Sequence, residues 1–414
     1  MKKQILFQKD FTLVVIGQII SLFGNAILRF ALPLYLLRET GSPSLFGAVT
    51  VCSFIPMIIF SLFGGVLADR VNKRNIMVIL DFGTAAIIAV FYLIHGILPI
   101  VPIMIVCLML LYSISGAYQP AVQASIPALL ENEQIMRGNA VINMVNTLAS
   151  LLGPIIGGIL FGAWGLVPIL LVSTACFLSS AVMEIFIHIP FKKRKSEKSM
   201  ASIVLDDLKE SGRYIKNEKP EFVPVIVILA LFNLIFSSVM IVGIPIMVVN
   251  ILQMSDISLG ITQGALGLGG LAGGLLGGII GGRLKLKNGY LLLAGCSVSA
   301  LVMGIGLFSF VPPLVGYWLI TGMSFAAMAL STMFTIQMCS MVQQQTPSHF
   351  IGKIMALIMA VANCAAPAGQ AMYGLLFDVC SMVPWAIMLG AAVVSIGISL
   401  YSKKVFFKLE SANG

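Results

Sequence analysis

Charged residues are scarce in this chain. Aspartate, glutamate, lysine and arginine make up 10% of its 414 residues, whereas 59% are hydrophobic, and the mean hydropathy is +1.03. This composition excludes a soluble globular domain, in which about 25% of residues are charged. The net charge of +9 does not indicate nucleic-acid binding, because the basic residues are not interleaved with aromatic residues on one face. The chain is therefore expected to reside in a lipid bilayer.

Paired cysteines and clustered histidines are also missing. The sequence has three histidines, and its seven cysteines are dispersed without a C-x-x-C pair. This spacing argues against structural disulfides and metal sites, and we expect neither a metal nor another cofactor. A membrane-embedded enzyme would need clustered acids, histidines or metal ligands at membrane depth, so we expect no enzymatic activity. The cysteines are Cys52, Cys107, Cys176, Cys296, Cys339, Cys364 and Cys380.

Long apolar runs account for most of the sequence. A helix needs about 20 apolar residues to cross the hydrocarbon core of a bilayer, and the short alternating segments of a β-barrel are absent. The runs therefore predict an all-α polytopic membrane protein with twelve transmembrane helices. They cover residues 11–37, 45–68, 76–97, 100–125, 139–161, 166–189, 222–249, 259–282, 290–311, 314–342, 352–377 and 383–402.

The basic residues predict the orientation in the membrane. An even number of spans places both termini on one side, and all but two of the 25 lysines and arginines fall on that side. Because cytoplasmic loops are enriched in these residues, both termini are predicted to be cytoplasmic. The start of the chain imitates a signal peptide, but its apolar run is too long and lacks a small-residue cleavage site. We expect a plasma membrane location, in the bacterial cytoplasmic membrane.

One long polar segment divides the spans into six and six. Residues 191–221 begin with a run of basic residues and continue as an amphipathic helix, with Leu205, Leu208 and Ile215 on one stripe. We interpret this segment as a cytoplasmic linker on the lipid surface, with a regulatory site as the alternative. The predicted domains are an N-terminal six-helix bundle (1–190), the linker (191–221) and a C-terminal six-helix bundle (222–414).

The two halves resemble each other in sequence. A shift of 213 residues superposes glycine, basic, asparagine and proline positions. Parallel repeats of this kind are a known plan for transporters, with the substrate site between the halves near the bilayer midplane. The matching pairs are Gly64 and Gly277, Gly65 and Gly278, Arg70 and Arg283, Arg74 and Lys287, Asn75 and Asn288, and Pro154 and Pro367.

The loop after the second span carries the most specific motif, Gly65-Val-Leu-Ala-Asp69-Arg70-Val-Asn72-Lys73-Arg74. It resembles the signature loop of the major facilitator superfamily, with Asn72 where that family usually has a second glycine. The resemblance implies that the aspartate and arginines link the loop to a helix end of the other half and steady one alternating conformation. Charges of the proper sign at helix ends are favoured by the helix dipole. We assign gating to this gate loop (residues 65–74), through Gly65, Asp69, Arg70, Lys73 and Arg74.

A second motif lies in the fifth span. The run Gly153-Pro154-Ile-Ile-Gly157-Gly158 resembles the glycine-proline motif of the superfamily's drug and proton antiporters, although Ala149 replaces a further glycine. Small residues allow close helix packing and proline bends a helix, so generic packing is the alternative. Together with Ala117-Tyr-Gln-Pro-Ala-Val-Gln-Ala-Ser-Ile-Pro-Ala-Leu-Leu130, the motifs look most like the macrolide-exporter-like branch of drug:proton antiporters.

The eighth span is rich in glycine. Eleven glycines lie between Gly260 and Gly282, many of them four residues apart. This spacing predicts a face for close helix packing. The run Gly267-x-Gly269-x-x-Ala272 matches a dinucleotide fingerprint by its letters only, because no strand precedes it.

Polar residues within the spans are candidates for the transport path, because an unpaired charge there costs at least about 2.5 kcal/mol. Gln18, Asn25 and Arg29 share one stripe of the first span, which we expect to face water or protein. In the superfamily, spans one, four, seven and ten line the central cavity. The resemblance therefore assigns substrate binding to this stripe, with a structural hydrogen-bonding role as the alternative for Arg29. Companions in the other cavity spans are Tyr112, Tyr118, Asn233, Trp318 and Gln337.

Acidic residues in the spans receive different assignments. Asp81 lies seven residues after Arg74, about 10 Å along a helix, and we expect it in the charge network of the gate loop, with proton transport as the alternative. Glu184 and His188, at the end of the sixth span, are expected at the membrane interface. Because spans one, four, seven and ten contain no acid, the superfamily's usual scheme of proton coupling does not apply directly.

The sequence as a whole predicts a secondary active exporter of amphipathic small molecules or drugs, working by alternating access and driven by protons. The alternative within the same fold is a lipid, siderophore or metabolite carrier or facilitator. A non-transporting receptor and a membrane-embedded enzyme are the competing classes. The expected partners are a small-molecule substrate, protons and the lipid bilayer, without nucleic acid, and we expect a monomer.

Overall fold

A computed structural model describes residues 8–190, 200–280, 286–347 and 350–413, apart from some side chains within the helices. Twelve helices in this part of the chain are long and apolar enough to cross a membrane, which confirms the predicted number of spans and the all-α fold. The described residues form thirteen α-helices, of which Met200–Asn217 (α7) is not one of the candidate spans. They are α1 Lys9–Thr40, α2 Pro43–Arg70, α3 Lys73–Ile94, α4 Ile100–Leu129, α5 Asn132–Trp164, α6 Leu166–Ile185, α7 Met200–Asn217, α8 Phe222–Phe232, α9 Asp256–Ile280, α10 Gly289–Ile305, α11 Pro313–Gln345, α12 Ile351–Val379 and α13 Pro384–Asn413.

Short connections join several of these helices. Gly41, between α1 and α2, has a φ of +61°, and Gly165, between α5 and α6, has a φ of +75°. Residues with a Cβ rarely adopt such angles, so glycine is required at both turns. Between α2 and α3, the Asn72 side chain accepts a hydrogen bond from the backbone N–H of Arg74 (3.0 Å). This N-cap stabilises the start of α3 and gives a physical reason for asparagine in place of glycine.

The helices form two compact units. The first comprises the described residues of Met1–Thr40 and Val49–Met200, and the second those of Gly41–Ala48 and Ala201–Gly414. The predicted boundaries of the two six-helix bundles and the linker stay a prediction. In the structure α7 belongs to the second unit, and so do the first turns of α2.

In the first unit, α1 packs against α4, α5 and α6, and α3 packs against α4 and α6. Phe11, Val14, Met77 and Val122 belong to one buried apolar cluster of this unit. Helices in lipid gain little hydrophobic free energy by associating, because lipid tails are as apolar as leucine. Close packing and hydrogen bonds between the helices therefore stabilise the bundle.

In the second unit, α9 packs along α11 and α10 along α13. The segment that begins as α8 continues in π-helical turns over Asn233–Ser237, Val239–Gly243 and Ile246–Ile251. It packs against α12, where a Cβ at Gly369 would overlap the carbonyl oxygen of Leu234. Glycine at this position lets the two backbones touch.

Helix α7 is amphipathic where its side chains are described. Tyr214 and Ile215 are buried, whereas Arg213 and Lys216 are exposed. The ring of Tyr214 stacks on that of Phe350, with the centroids 4.9 Å apart. The described C-terminal part of α7 thus packs on protein, whereas the sequence predicted that the segment lies on lipid. The predicted stripe residues Leu205 and Leu208, and the basic run at 192–195, lie outside the described side chains.

Several glycines of α9 pack closely against α11, which agrees with the predicted face for close helix packing. A Cβ at Gly269 would overlap the carbonyl oxygen of Phe325, and one at Gly273 would overlap that of Ala329. By contrast, no heavy atom lies within 4 Å of the Cβ position at Gly274. Close packing therefore depends on particular glycines of this helix.

Replacing Gly273 by alanine is expected to lower stability, because the added methyl group displaces the α11 backbone. Such overpacking typically costs about 1–3 kcal/mol. Gly274→Ala is the matched control and is expected to keep or raise stability, since alanine favours a helix over glycine by about 1 kcal/mol. Thermal unfolding in detergent, followed through labelling of the seven free cysteines by a thiol-reactive dye, measures both variants. Equal melting temperatures would contradict the packing of α9 on α11.

Candidate functional site

Two polar side chains of α1 bind to α4. Gln18 Nε2 donates a hydrogen bond to the Tyr118 hydroxyl (2.8 Å), and Asn25 Nδ2 donates one to Ser115 Oγ (3.2 Å). Residue numbers rise along α1 as they fall along α4, so the two helices run antiparallel. The polar stripe of α1 therefore faces a neighbouring helix.

Arg29 makes the third contact between α1 and α4. Its guanidinium carbon lies 4.1 Å from the centre of the Tyr112 ring, a cation–π geometry. Its Nη2 donates a long hydrogen bond to Met57 Sδ (3.9 Å), and its Nε has no hydrogen-bond partner among the described residues. An arginine held in this way retains donors for a ligand. We call the contacts 18–118, 25–115 and 29–112 the α1–α4 ladder.

Asn25 and Arg29 line a cavity of about 340 Å³ inside the first unit. Its volume lies within the range of about 300–1,000 Å³ that is usual for small-molecule sites. Of the described residues that line it, Arg29 is the one ionisable side chain, and most of the others carry amides or hydroxyls. This polar cavity is lined by Leu22, Asn25, Ala26, Arg29, Met57, Ser61, Ser115, Gly116, Gln119, Pro120, Gln123, Asn146, Ala149 and Ser150.

Three of the predicted binding residues belong to the second unit. Asn233 Nδ2 donates a hydrogen bond to the backbone carbonyl of Leu229, one turn earlier (3.0 Å). Trp318 is 58% exposed near the start of α11, and Gln337 lies against Gly289. None of these contacts indicates a ligand, so their binding role stays a prediction.

Asp81 is buried where α3 meets α1. Its side chain is 2% exposed, and its Oδ2 accepts a hydrogen bond from the Ser21 hydroxyl (2.6 Å). That hydroxyl lies 2.8 Å from the Ser180 hydroxyl of α6. This placement differs from the expected charge network of the gate loop, because the Asp81 side chain contacts α1 and forms no ion pair within the described part of the chain.

Glu184 is buried too, which corrects the expected interface location. It is 0% exposed, and its Oε1 accepts a hydrogen bond from the Tyr118 hydroxyl (2.7 Å). Its Oε2 has no hydrogen-bond partner among the described residues. The sequence does contain a signal: Ser173, Ser180 and Glu184 have the same spacing of seven and four residues as the polar stripe of α1.

We call Ser21, Asp81, Tyr118, Ser180 and Glu184 the acidic cluster; it joins α1, α3, α4 and α6. A cavity of about 20 Å³ is lined by three of its members, Ser21, Asp81 and Tyr118. That volume holds about one water molecule. The same small cavity and the polar cavity share Leu22, Asn25, Ser115 and Gln119 as lining residues. The acidic cluster therefore adjoins the polar cavity.

The gate loop contacts α6 of its own unit. Arg74 Nη1 donates a hydrogen bond to the backbone carbonyl of Ile185 (3.4 Å), at the C-terminal end of α6, where the helix dipole favours a cation. The family resemblance implied a contact with the other half, so gating remains a prediction. The other assigned members lie at the end of α2 (Gly65, Asp69, Arg70) and the start of α3 (Lys73), and the side chain of Asp69 is outside the described part.

The glycine-proline motif of α5 packs against α1 beside the polar cavity. A Cβ at Gly153 would overlap the Ala26 side chain, and one at Gly157 would lie 3.0 Å from the Phe30 ring. Because Ala26 and Phe30 flank Arg29 in the sequence, this close approach determines where the arginine lies. The remaining motif residues are Pro154, inside α5, and Gly158, which is buried.

Sequence reasoning missed several lining residues of the polar cavity. Gln119 and Gln123 of α4 are one helical turn apart, a spacing that indicates a shared polar face within a span. Asn146 of α5 also lines the cavity, whereas Asn143 is exposed. No sequence signal separates these two asparagines.

Known proteins with similar sequences and folds are transporters. Over 389 residues the chain is 23% identical to macrolide efflux protein A of Streptococcus pyogenes, covering 92% of this chain and 93% of that protein. Over 409 residues it is 24% identical to the enterobactin exporter EntS of Salmonella typhi, covering 94% and 91%. The crystal structure of the nucleoside transporter NupG has a TM-score of 0.76 at 13% identity, covering 96% of this chain and 99% of that chain, which shows a common fold.

A family model covers most of the chain as well. The model of the Major Facilitator Superfamily matches residues 14–370, a range that includes the gate loop, the motif of α5 and spans of both units. The predicted resemblance is therefore confirmed over far more than its motifs. The chain belongs to the Major Facilitator Superfamily of membrane transporters.

Proposed function

We propose that this protein exports amphipathic small molecules by alternating access. The observation that carries the proposal is the polar cavity in the first unit, which holds an arginine with an uncommitted donor. Membership of a transporter family supports movement of a ligand across the membrane. The two relatives named as an efflux protein and an exporter support the outward direction.

The charge of the cavity narrows the substrate class. Arg29 is its one ionisable side chain among the described lining residues, and no carboxylate forms an ion pair with it there. A cationic substrate would face an uncompensated like charge, whereas an acidic or acceptor-rich group would gain charge-assisted hydrogen bonds. Leu22 and Met57 offer apolar surface beside these donors. The favoured substrate is a neutral or acidic amphiphile. A siderophore therefore fits the cavity nearly as well as a drug-like amphiphile does.

Orientation, gating and coupling belong to the same proposal. Both termini lie in the cytoplasm, as the basic residues predict, and the gate loop lies on that side. The proton gradient across a bacterial cytoplasmic membrane drives the export, and the protein works as a monomer. The gate loop steadies one conformation, as the family resemblance implies, and the contact of Arg74 with the end of α6 fixes the position of this loop on the first unit.

Transport by the full chain in proteoliposomes tests the proposal. Three probes differ in charge: enterobactin with weakly acidic catechols, erythromycin with a basic amine, and ethidium as a permanent cation. We expect flux driven by a pH gradient, larger for enterobactin than for ethidium, with protein-free liposomes as the control. Flux that persists unchanged after the gradient is collapsed would favour a facilitator, and no flux of any probe would refute the exporter.

Substitutions at Arg29 test the binding site. Arg29→Gln is expected to reduce enterobactin transport about 10- to 100-fold, because a hydrogen bond to a charged group is worth about 1.5–3 kcal/mol. Tyr112→Phe is expected to keep transport, since the ring and not its hydroxyl contacts the guanidinium, whereas Tyr112→Leu is expected to weaken it. Arg38→Gln, at the exposed end of α1, is the charge-matched control. Full activity of Arg29→Gln would exclude the arginine from substrate binding.

Reporter fusions test the orientation. Green fluorescent protein at the C-terminus is expected to fluoresce, and alkaline phosphatase at the same place is expected to be inactive, because this terminus is predicted to be cytoplasmic. Phosphatase fused after Gly41, in the first loop, is the opposite control and is expected to be active. An active phosphatase at the C-terminus would reverse the proposed orientation.

A further inference from the structure

Four helices converge on the acidic cluster, and its two acids, Asp81 and Glu184, are not among the residues that line the polar cavity. We propose that Asp81 and Glu184 are the proton-binding site of this transporter, with Asp81 as the carboxyl that exchanges protons with the polar cavity. This inference rests on the proposed proton-driven export and names the residues that bind and release the protons. It reassigns Asp81 from the gate loop and adds an acid that the sequence placed at the interface.

Among the described residues, no ion pair supplies either acid with a cation to balance a buried charge. Around it, α1 contributes the uncharged Gln18 and Ser21, α4 contributes the phenol Tyr118, and α3 and α6 contribute the two acids. Arg74, a basic residue near the same end of α6, donates to the Ile185 carbonyl. Neither carboxylate forms an ion pair within the described part of the chain.

Such burial favours binding and release of a proton over permanent charge. Taking an ionised carboxylate out of water without a cation costs several kcal/mol, and a bound proton removes the charge. The hydrogen bonds agree with this role, since the Ser21 hydroxyl donates to Asp81 and the Tyr118 hydroxyl donates to Glu184. Each acid keeps one donor in place whether or not it carries a proton.

A route for the proton is present in the first unit. Asp81 lines the small cavity, whose lining overlaps that of the polar cavity at Asn25, Ser115 and Gln119. A hydronium ion in the polar cavity gives its proton to an Asp81 carboxylate oxygen, so that an O–H bond forms and a water molecule is left. Release is the reverse step, with water as the acceptor, when the cluster faces the other side.

The α1–α4 ladder connects this site with the substrate site. Arg29 and Tyr112 form one end of the ladder, and Gln18 and Tyr118 form the other, where Tyr118 also holds Glu184. A substrate that binds Arg29 and moves its side chain into the cavity strains the contacts between α1 and α4. These two helices also hold Asp81 and Glu184 in place, through Ser21 and Tyr118. The α1–α4 ladder is thus the physical basis for coupling substrate transport to proton transport.

The first experiment separates coupling from binding. Proteoliposomes with wild-type protein, Asp81→Asn, Glu184→Gln and the control Glu39→Gln, an exposed acid of α1, are assayed with enterobactin and with erythromycin. A gradient of one pH unit drives about tenfold accumulation for each proton exchanged. We expect the wild type and Glu39→Gln to show this accumulation, and both cluster variants to lose it while retaining exchange of labelled for unlabelled probe without a gradient.

The second experiment needs no substrate and so remains decisive if the exporter proposal fails. Infrared difference spectra of the purified full chain are recorded while the pH is changed. We expect a titrating carboxylic-acid C=O band that is missing in Asp81→Asn or Glu184→Gln, is present in Glu39→Gln and is shifted in Tyr118→Phe, because that variant removes the donor to Glu184. The shift in Tyr118→Phe tests the cluster even where an acid variant does not fold.

Three results would overturn the assignment. The first is full gradient-driven accumulation by Asp81→Asn. The second is an equal loss of exchange and accumulation in folded cluster variants, which would indicate a structural role. The third is the absence of a titrating carboxylic-acid band that depends on either acid. Absence of all probe transport together with a titrating band assigned to the pair would refute the exporter and support the proton site.

Discussion

The cost of burying an unpaired charge in a bilayer shapes the first unit of this protein. The acidic or basic side chains Arg29, Asp81 and Glu184 lie inside its spans, and none of them is paired with an opposite charge in the described part of the chain. Each is accommodated by neutral groups: an aromatic face for the arginine, and one hydroxyl for each acid. Neutral partners stabilise these groups less than counter-ions do, so each keeps capacity for a ligand or a proton.

Helix packing determines where these groups lie. Glycines in α5 allow α1 to approach closely on either side of Arg29, and α1 in turn contacts α4 and α6 through hydrogen bonds. Gly17 extends this packing, since a Cβ there would touch Ser180 Oγ at 3.4 Å and Glu184 Oε1 at 3.5 Å. The substrate site and the acidic cluster therefore depend on the same tightly packed helix. Because dispersion forces and hydrogen bonds replace hydrophobic association in lipid, small residues are needed at these points.

The fold was predictable from the sequence because each span is a long apolar run that can be recognised along the chain without knowledge of tertiary contacts. Runs of some 20 apolar residues have few other interpretations, and the stripe of Gln18, Asn25 and Arg29 follows from helical spacing alone. The site was less predictable, because burial depends on tertiary contacts. Glu184 sits at the end of an apolar run, a position typical of an interface, but the chain beyond it folds back over the helix end.

That fold-back has a defined contact. The backbone N–H of His188 donates to Asp10 Oδ1 (2.9 Å), and Ile187 and Ile189 are buried in the apolar cluster of the first unit. Glu184 is 0% exposed, and Tyr118 of α4 and Gly17 of α1 lie against its side chain. The partner of Arg74 was unpredictable for the same reason, since the sequence does not reveal which helix end it meets. The N-cap by Asn72, by contrast, is local and could be inferred from residue type.

The α1–α4 ladder has a mechanical consequence. Its three contacts extend from Gln18 to Arg29 along antiparallel helices. Two of them are hydrogen bonds and the third is a cation–π contact. Sliding α1 by a single residue, about 1.5 Å, would misalign all three at once. We therefore expect the two helices to move together as one rigid body, with any bending beyond the ends of the ladder.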